Sequence, residues 1–312
     1  MSAAPSPNAP PAAPPPPPPP RLGQRLGGWA TIGLMRLLAC LPLPLLRALG
    51  WALGQVLYML ARPRRRVTLI NLRLCFPEES EAQRRRWARA SFVYFCQTWL
   101  DRSWLWLAAP DKIRQRVRVR GIEHMRAPGP VILLAPHFYG LDAAGVAMAL
   151  ENTRTAVSIY TTQPNPVLNA WIKQRRARFG RVLLFNRAQG LRPVIKALRE
   201  GGALFLLPDM NFGPRESIFV PFFGVPAATV ASLPRFASMG GARVLPLLSR
   251  VTPGGYDIEL LPTWGDFPSG DDVADTVRMN REVEAWIRTM PAQYFWVHKR
   301  FKTRPPGEPP VY

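Results

Sequence analysis

The chain has 312 residues, enough for one large domain with a substantial core. Apolar residues make up 47%, yet 41 Lys and Arg stand against 20 Asp and Glu, a formal net charge of +21. That balance argues against a plain cytosolic enzyme and points to polyanionic company: nucleic acid, anionic lipid headgroups or phosphorylated substrates.

The chain opens on a Pro/Ala tract over residues 1 to 20, ending in an unbroken proline run from Pro14 to Pro20. Proline fixes φ and removes amide donors, so this reads as an extended, disordered tail outside the fold. It lacks the basic-then-apolar order of a cleaved secretory signal. From Trp29 to Ala61 the sequence is strongly apolar, but Arg36, Pro42, Pro44 and Arg47 break it into pieces. A clean spanning helix needs about 20 uninterrupted apolar residues. Arg21 and Arg25 precede the stretch, and Arg62, Arg64, Arg65 and Arg66 follow it. Residues 21 to 66 therefore read as a membrane-anchoring helical region. One tilted span with snorkelling arginines and a pair of interfacial helices both fit, as does a buried helical hairpin. The arginine cluster favours the cytoplasmic face, beside anionic inner-membrane lipid.

Ser80 followed by Gln83 resembles a capping box, which predicts a long helix from Glu81 to Leu107. Its load of Trp87, Phe92, Phe95, Trp99, Trp104 and Trp106 reads as core packing. Beyond residue 115 short apolar runs alternate with helical segments. The predicted strands are Pro130–Ala135, Ala156–Thr161, Arg181–Phe185, Ala203–Pro208, Arg243–Arg250 and Tyr256–Leu261. The predicted helices are Gly140–Leu150, Pro166–Phe179, Leu191–Glu200, Ala228–Met239 and Asp272–Met290. This alternation predicts an α/β fold over residues 67 to 312, with a mixed, largely parallel sheet flanked by helices.

Three cysteines, Cys40, Cys75 and Cys96, have neither CxxC nor zinc-like spacing, so no disulfide framework is expected and the default setting is reducing. His124, His137 and His298 are too scattered for a metal site, and no cofactor is expected. The basic charge is almost all arginine, a bias that a GC-rich genome also produces.

One segment carries chemistry. Val131-Ile-Leu-Leu-Ala-Pro-His137 reads as a buried strand running into a turn, and Asp142 sits near the start of the following helix. His137 thus lies at the carboxyl end of a strand, where ligands bind in open α/β sheets. If Asp142 folds back from the first helical turn, its carboxylate can hold one imidazole nitrogen while the other takes a proton from a hydroxyl. A His-x4-Asp pair taken alone is a weak signal. His137 also reads as a structural histidine and Asp142 as a helix cap.

The motif His137-Phe-Tyr-Gly-Leu-Asp142 resembles the signature of the glycerolipid acyltransferases, and the rest of the chain is similar to their lipid A biosynthesis branch. The matching stretches are Asn71-Leu-Arg-Leu-Cys-Phe-Pro-Glu, Asn165-Pro with the helix reaching Arg176 and Arg178, and Val194-Ile-Lys-Ala-Leu. They continue through Leu207-Pro-Asp209, the segment from Phe219 to Thr229, and Trp296-Val-His-Lys-Arg-Phe-Lys-Thr-Arg-Pro-Pro306. The resemblance implies an O-acyltransferase of the inner membrane, with His137 as general base and Asp142 as its orienting carboxylate. It implies substrate-binding roles for Arg176 and Asp209, with Arg187, which resembles a phosphate-binding arginine of the wider superfamily, as the second choice to Arg176. It further implies acyl-carrier protein as donor of a lauroyl or myristoyl chain and a Kdo-modified lipid A precursor as acceptor. One departure stands out: after Asp209 the branch often carries Asp-Tyr-Gly, where this chain has Asn211-Phe212-Gly213.

Two other readings fit parts of the sequence. The same chemistry could serve a glycerol-phosphate or ornithine-lipid acceptor. A basic, non-catalytic membrane- or nucleic-acid-binding module would explain the charge, but no nucleic-acid-reading motif is present, so no nucleic acid is expected as partner.

Overall fold

The computed structural model describes residues 20 to 151 and 153 to 312. All but the last residue of the expected proline tail lie outside them. Helices α1 (Leu22–Ala39), α2 (Leu43–Leu60) and α3 (Arg62–Cys75) lead into α4 (Glu81–Leu107). The Ser80 hydroxyl caps α4 by accepting from the Gln83 amide at 3.1 Å. Along α4, Ala88, Phe92, Leu100, Trp104, Leu105 and Trp106 are all buried, the pattern of a helix covered on several sides. On one side α2 lies close along it: a Cβ on Gly54 would stand 2.5 Å from the Val93 Cα, and one on Gly50 2.8 Å from the Gln97 Cα. Only glycines permit this approach.

A short helix α5 (Pro110–Arg116) then opens the sheet domain, whose strands are β1 (Val117–Arg120), β2 (Val131–Leu134), β3 (Ala156–Tyr160), β4 (Val182–Asn186), β5 (Ala203–Leu206), β8 (Arg243–Thr252) and β9 (Gly255–Leu260). They form one sheet in the order β1-β9-β8-β2-β5-β3-β4. Every pair is parallel except the β8–β9 hairpin. The predicted α/β class, with a mixed and largely parallel sheet, is what the chain adopts. Helices α6 (Leu141–Glu151), α7 (Pro166–Arg176), α8 (Arg192–Arg199), α9 (Ser232–Gly240) and α10 (Asp272–Thr289) pack around it.

Strand β2 shows why both faces are covered. Its side chains alternate, Val131 and Leu133 joining the core beneath α4 and α6, Ile132 and Leu134 the core beneath α3, α8, α9 and α10. Ile32, Met35, Leu38, Leu43 and Leu46 from the first two helices belong to the first of these cores.

A two-stranded hairpin, β6 (Ser217–Phe222) and β7 (Val225–Val230), stands outside the main sheet. Its two-residue turn holds Phe223 at φ 52° and Gly224 at φ 74°, the left-handed pair that suits the twist of a tight hairpin. The predicted helix from Ala228 is corrected here: Ala228 to Val230 pair with Phe219 to Ser217, and α9 starts only at Ser232. Pro221, Pro226 and the alanines concealed both strands.

Candidate active site

Because β2 and β5 are parallel neighbours, the loops that leave their carboxyl ends emerge side by side. His137 stands three residues beyond β2 and Asp209 three residues beyond β5. The Asp209 carboxylate receives the His137 main-chain N–H at 2.9 Å through Oδ2, and its Oδ1 lies 2.7 Å from the imidazole Nδ1. The Tyr294 hydroxyl donates to Oδ2 at 2.9 Å. Asp209 is 1% exposed. Burial alone would push its carboxyl up, but the imidazole, the His137 amide and the Tyr294 hydroxyl hold it down at about 2. The buried guanidinium of Arg300 adds charge compensation; it donates to the Ala228 carbonyl at 2.7 Å and the Thr229 hydroxyl at 2.6 Å.

Tyr294 reaches Asp209 because the segment after α10 folds back over the histidine loop. The Phe295 amide donates to the His137 carbonyl at 3.0 Å, and the Tyr139 amide to the Gln293 carbonyl at 2.9 Å. Gly140 lets the same loop press on β8, since a Cβ there would lie 2.9 Å from that of Ser249. Farther on, the Asn71 amide nitrogen donates to the Trp296 and His298 carbonyls at 2.7 and 2.8 Å, which ties α3 to the terminal motif. Asn211 donates to the Arg300 carbonyl and accepts from Gly213 and Thr303. Its role here is to fasten the loop after β5 to the C-terminal segment. His298 accepts from the Asn211 amide at 3.0 Å, and burial, with the nearby Arg300 charge, lowers it to about 4, so it is neutral near pH 7.

The imidazole Nε2 has no partner among the described residues, and His137 lines a cleft of about 170 Å³. Phe95, Thr98, Trp99 and Arg102 of α4 form one wall; Phe138, Tyr139, Leu141, Asp142 and Phe295 form the rest. A larger depression of about 520 Å³, lined by Arg192, Ile195, Lys196, Arg199, Glu200 and Met239, includes none of these groups.

The expected carboxylate partner of His137 is not the one found. Asp142 sits in the first turn of α6, in the same cleft, but accepts from Arg102 Nε at 2.6 Å and lies 3.6 Å from Arg176 Nη2. Two guanidinia outcompete a neutral imidazole for a carboxylate, and Asp209 already occupies Nδ1. Burial would raise the Asp142 carboxyl; the charges of Arg102 and Arg176 overcome that and lower it. Arg187 stands apart, just past β4 and three strands from β2, 3.5 Å from Glu216 and stacked 4.6 Å from the Phe212 ring centre. Arg178 is structural, donating to the Trp106 and Ala108 carbonyls at 3.2 and 2.7 Å. Tyr294 and Arg102 escaped sequence reasoning, their only signal being polar residues inside aromatic segments that otherwise read as core; Arg300 lies within the terminal motif but was given no role.

A carboxylate-bound histidine whose Nε2 has no partner among the described residues, set in a cleft of a largely parallel α/β sheet, is an arrangement able to take a proton from a hydroxyl. Sequence comparison gives the class a name. Residues 20–303 match the family described as bacterial lipid A biosynthesis acyltransferase. The lipid A biosynthesis lauroyltransferase of Escherichia coli K12 is 32% identical over 91% of this chain and 94% of its own length. The myristoyltransferase of the same organism is 36% identical over 90% and 88%. A lipid A biosynthesis acyltransferase of Haemophilus influenzae is 30% identical over 91% and 90%. The solved 1-acyl-sn-glycerophosphate acyltransferase of Thermotoga maritima aligns at a TM-score of 0.38 and 14% identity, over 79% of this chain and 97% of that one. The chain belongs to the bacterial lipid A biosynthesis acyltransferase family and is an O-acyltransferase.

Proposed function

We propose that this enzyme transfers a saturated acyl chain, lauroyl or myristoyl, from acyl-carrier protein to a hydroxyl of a Kdo-modified lipid A precursor. The observation that carries the chemistry is the His137 imidazole, fixed at Nδ1 by buried Asp209 and free at Nε2 in the cleft. With Nδ1 as the hydrogen-bond donor to Asp209, Nε2 has a lone pair available to accept a proton. It takes the proton of the acceptor hydroxyl as that oxygen attacks the thioester carbonyl carbon. The tetrahedral oxyanion collapses, the C–S bond breaks, and the leaving thiolate recovers the proton from the imidazolium. Ester and thiol are the products, with no covalent enzyme intermediate.

In this reading Asp209 acts through His137 and not on the substrate directly. Asp142 acts on the arginines beside the base, and Arg176 supplies positive charge to the reacting centre or to an acceptor phosphate. Arg187, at the same edge of the sheet but three strands away, serves a charged group of the acceptor farther from the base. The face of α1 and α2 that does not touch the domain exposes Leu26, Trp29, Leu37, Trp51, Leu53 and Met59. Helix α2 is long and apolar enough to cross a membrane by length and composition. Its glycine face is committed to α4, which supports a pair of helices lying in the cytoplasmic interface of the inner membrane.

A positioned general base contributes about 10²–10⁴ in rate. His137→Ala should lose that factor in transfer to a defined lipid A precursor while remaining folded, with a lowered melting temperature because buried Asp209 loses the imidazole. Near-normal turnover in this variant would falsify the mechanism.

A further inference from the structure

Asp142 holds more positive charge than it needs for its own burial. One carboxylate faces two guanidinia, Arg102 at 2.6 Å and Arg176 at 3.6 Å, leaving the trio with one surplus positive charge. Arg102 engages Asp142 only through Nε; its two terminal nitrogens have no hydrogen-bond partner among the described residues. Its stem is steadied on one side by the Trp106 ring, 5.8 Å from the guanidinium carbon. Arg176 likewise has no partner except Asp142 among the described residues, and both side chains reach solvent, at 34% and 42% exposure. Of the neighbouring arginines, Arg178 is engaged by two carbonyls and Arg47 pairs with buried Asp101. Arg102 also lines the cleft that holds His137, so a ligand entering it meets the base and the unsatisfied fork together.

We propose that Arg102 and Arg176, bridged by Asp142, form a phosphate-binding site beside the catalytic histidine. A guanidinium whose Nε is pinned and whose terminal nitrogens are free presents a fixed fork, which matches the oxygens of a phosphate. Because the two arginines come from α4 and α7 and are tied through α6, the site is organised before the ligand arrives. Asp142 on this view aligns the fork and keeps two like charges together while the site is empty. The natural ligand follows from the acyl-transfer reading above, on which its identity rests. Two phosphates could fill the site: one on the glycolipid acceptor, or the phosphodiester of the carrier protein's pantetheine arm.

The test compares full-length wild type, R102Q, R102K and R102Q/R176Q, purified in detergent. In a binding arm that needs no turnover, inorganic phosphate raises the melting temperature of wild type more than acetate at matched ionic strength. R102Q and the double variant should lose that excess, and R102K should keep part of it. In the kinetic arm, R102Q should raise one KM about tenfold or more with kcat nearly unchanged, the mark of lost uniform binding. If the acceptor phosphate is the ligand, the effect falls on the acceptor KM and vanishes with dephosphorylated acceptor. If the carrier arm is the ligand, it falls on the donor KM and persists with that acceptor. Equal phosphate protection in all four proteins, or wild-type KM values for both substrates in R102Q and the double variant, overturns the site. Wild type that binds phosphate but acylates no lipid A precursor would instead refute the function while leaving the site standing.

Discussion

At the scale of single residues, the candidate site is built on a buried carboxylate whose charge is set by its neighbours. Asp209 is held at about 2 against an ordinary carboxyl value of 3.8. A carboxyl depressed in the folded state stabilises the fold above its unfolded value and loses that contribution as pH falls through the folded one. Its share of stability should therefore be complete above about pH 4 and disappear between about pH 4 and pH 2. Over the neutral range Asp209 stays ionised. Asp209→Asn keeps the size of the side chain but removes the charge that fixes the tautomer. It should cost about 10²–10⁴ in kcat, the span a positioned base provides, and flatten the pH 4 to 2 segment of the stability curve. Rate assays with urea melts across pH check both. The site was only half legible in the sequence. His137, Asp142, Arg176 and Asp209 were all singled out there, but their pairing was not, because it depends on strand order. Had β5 been known to lie beside β2, the equal three-residue offsets of His137 and Asp209 would have paired them. Proximity in sequence favoured Asp142; proximity in the sheet favoured Asp209.

At the scale of elements, two sets of helical glycines do opposite work. Gly→Ala in a helix interior ordinarily gains about 1 kcal/mol. Gly33 in α1 meets nothing within 4 Å of a built Cβ, so Gly33→Ala should gain that amount. Gly54 in α2 is the contrary case, since its Cβ would sit 2.5 Å from the Val93 Cα and 2.9 Å from its nitrogen. Backbone cannot move aside as a side chain can, so α2 must lift from α4. Forcing apart a packed contact of this kind costs about 1–3 kcal/mol, which exceeds the propensity gain. Gly54→Ala should thus lower the melting temperature while Gly33→Ala raises it; shifts of the same sign would contradict the helix packing. The elements themselves were largely readable. All six predicted strands and the long α4 were announced by apolar runs and by Ser80 and Gln83. Asn165 and Pro166 announced α7, whose cap accepts the Val167 amide at 3.0 Å. What stayed hidden had weak local signals. β1 is only Val117-Arg-Val-Arg120, half of it charged, and β6 and β7 each carry a proline that reads as a breaker.

At the scale of the whole molecule, the distribution of charge and apolar surface makes a claim about where the enzyme works. The net charge of +21 is accompanied by exposed Leu22, Leu26, Trp29, Leu37, Trp51, Met59 and Leu60 on α1 and α2. Apolar faces of this kind flanked by Arg25, Arg62 and Arg66 match the needs of an anionic bilayer surface: side chains for the acyl boundary and cations for the headgroups. Two forces with different salt dependence should then be separable. Flotation with phosphatidylglycerol vesicles should exceed that with phosphatidylcholine vesicles near 0.15 M salt, and the difference should shrink near 1 M, where screening acts within about 3 Å. The apolar part should survive salt but weaken in a triple L26S/W29S/L37S variant. Equal binding of that variant would show that these side chains do not enter the bilayer. Depth decides how the helices lie. Cys75 and Cys96 are buried and Cys40 is exposed, so a Cys40→Ser background gives Leu53→Cys as the one accessible labelling site among the described residues. With α2 flat in the interface, a nitroxide at 53 should report a depth of about 5–10 Å below the headgroups. With α2 crossing the membrane, the same label, near the middle of Leu43–Leu60, would sit close to the bilayer centre. The contact of Gly50 and Gly54 with α4 favours the shallow outcome, because a crossing helix would carry the wall of the cleft, Phe95 to Arg102, down with it.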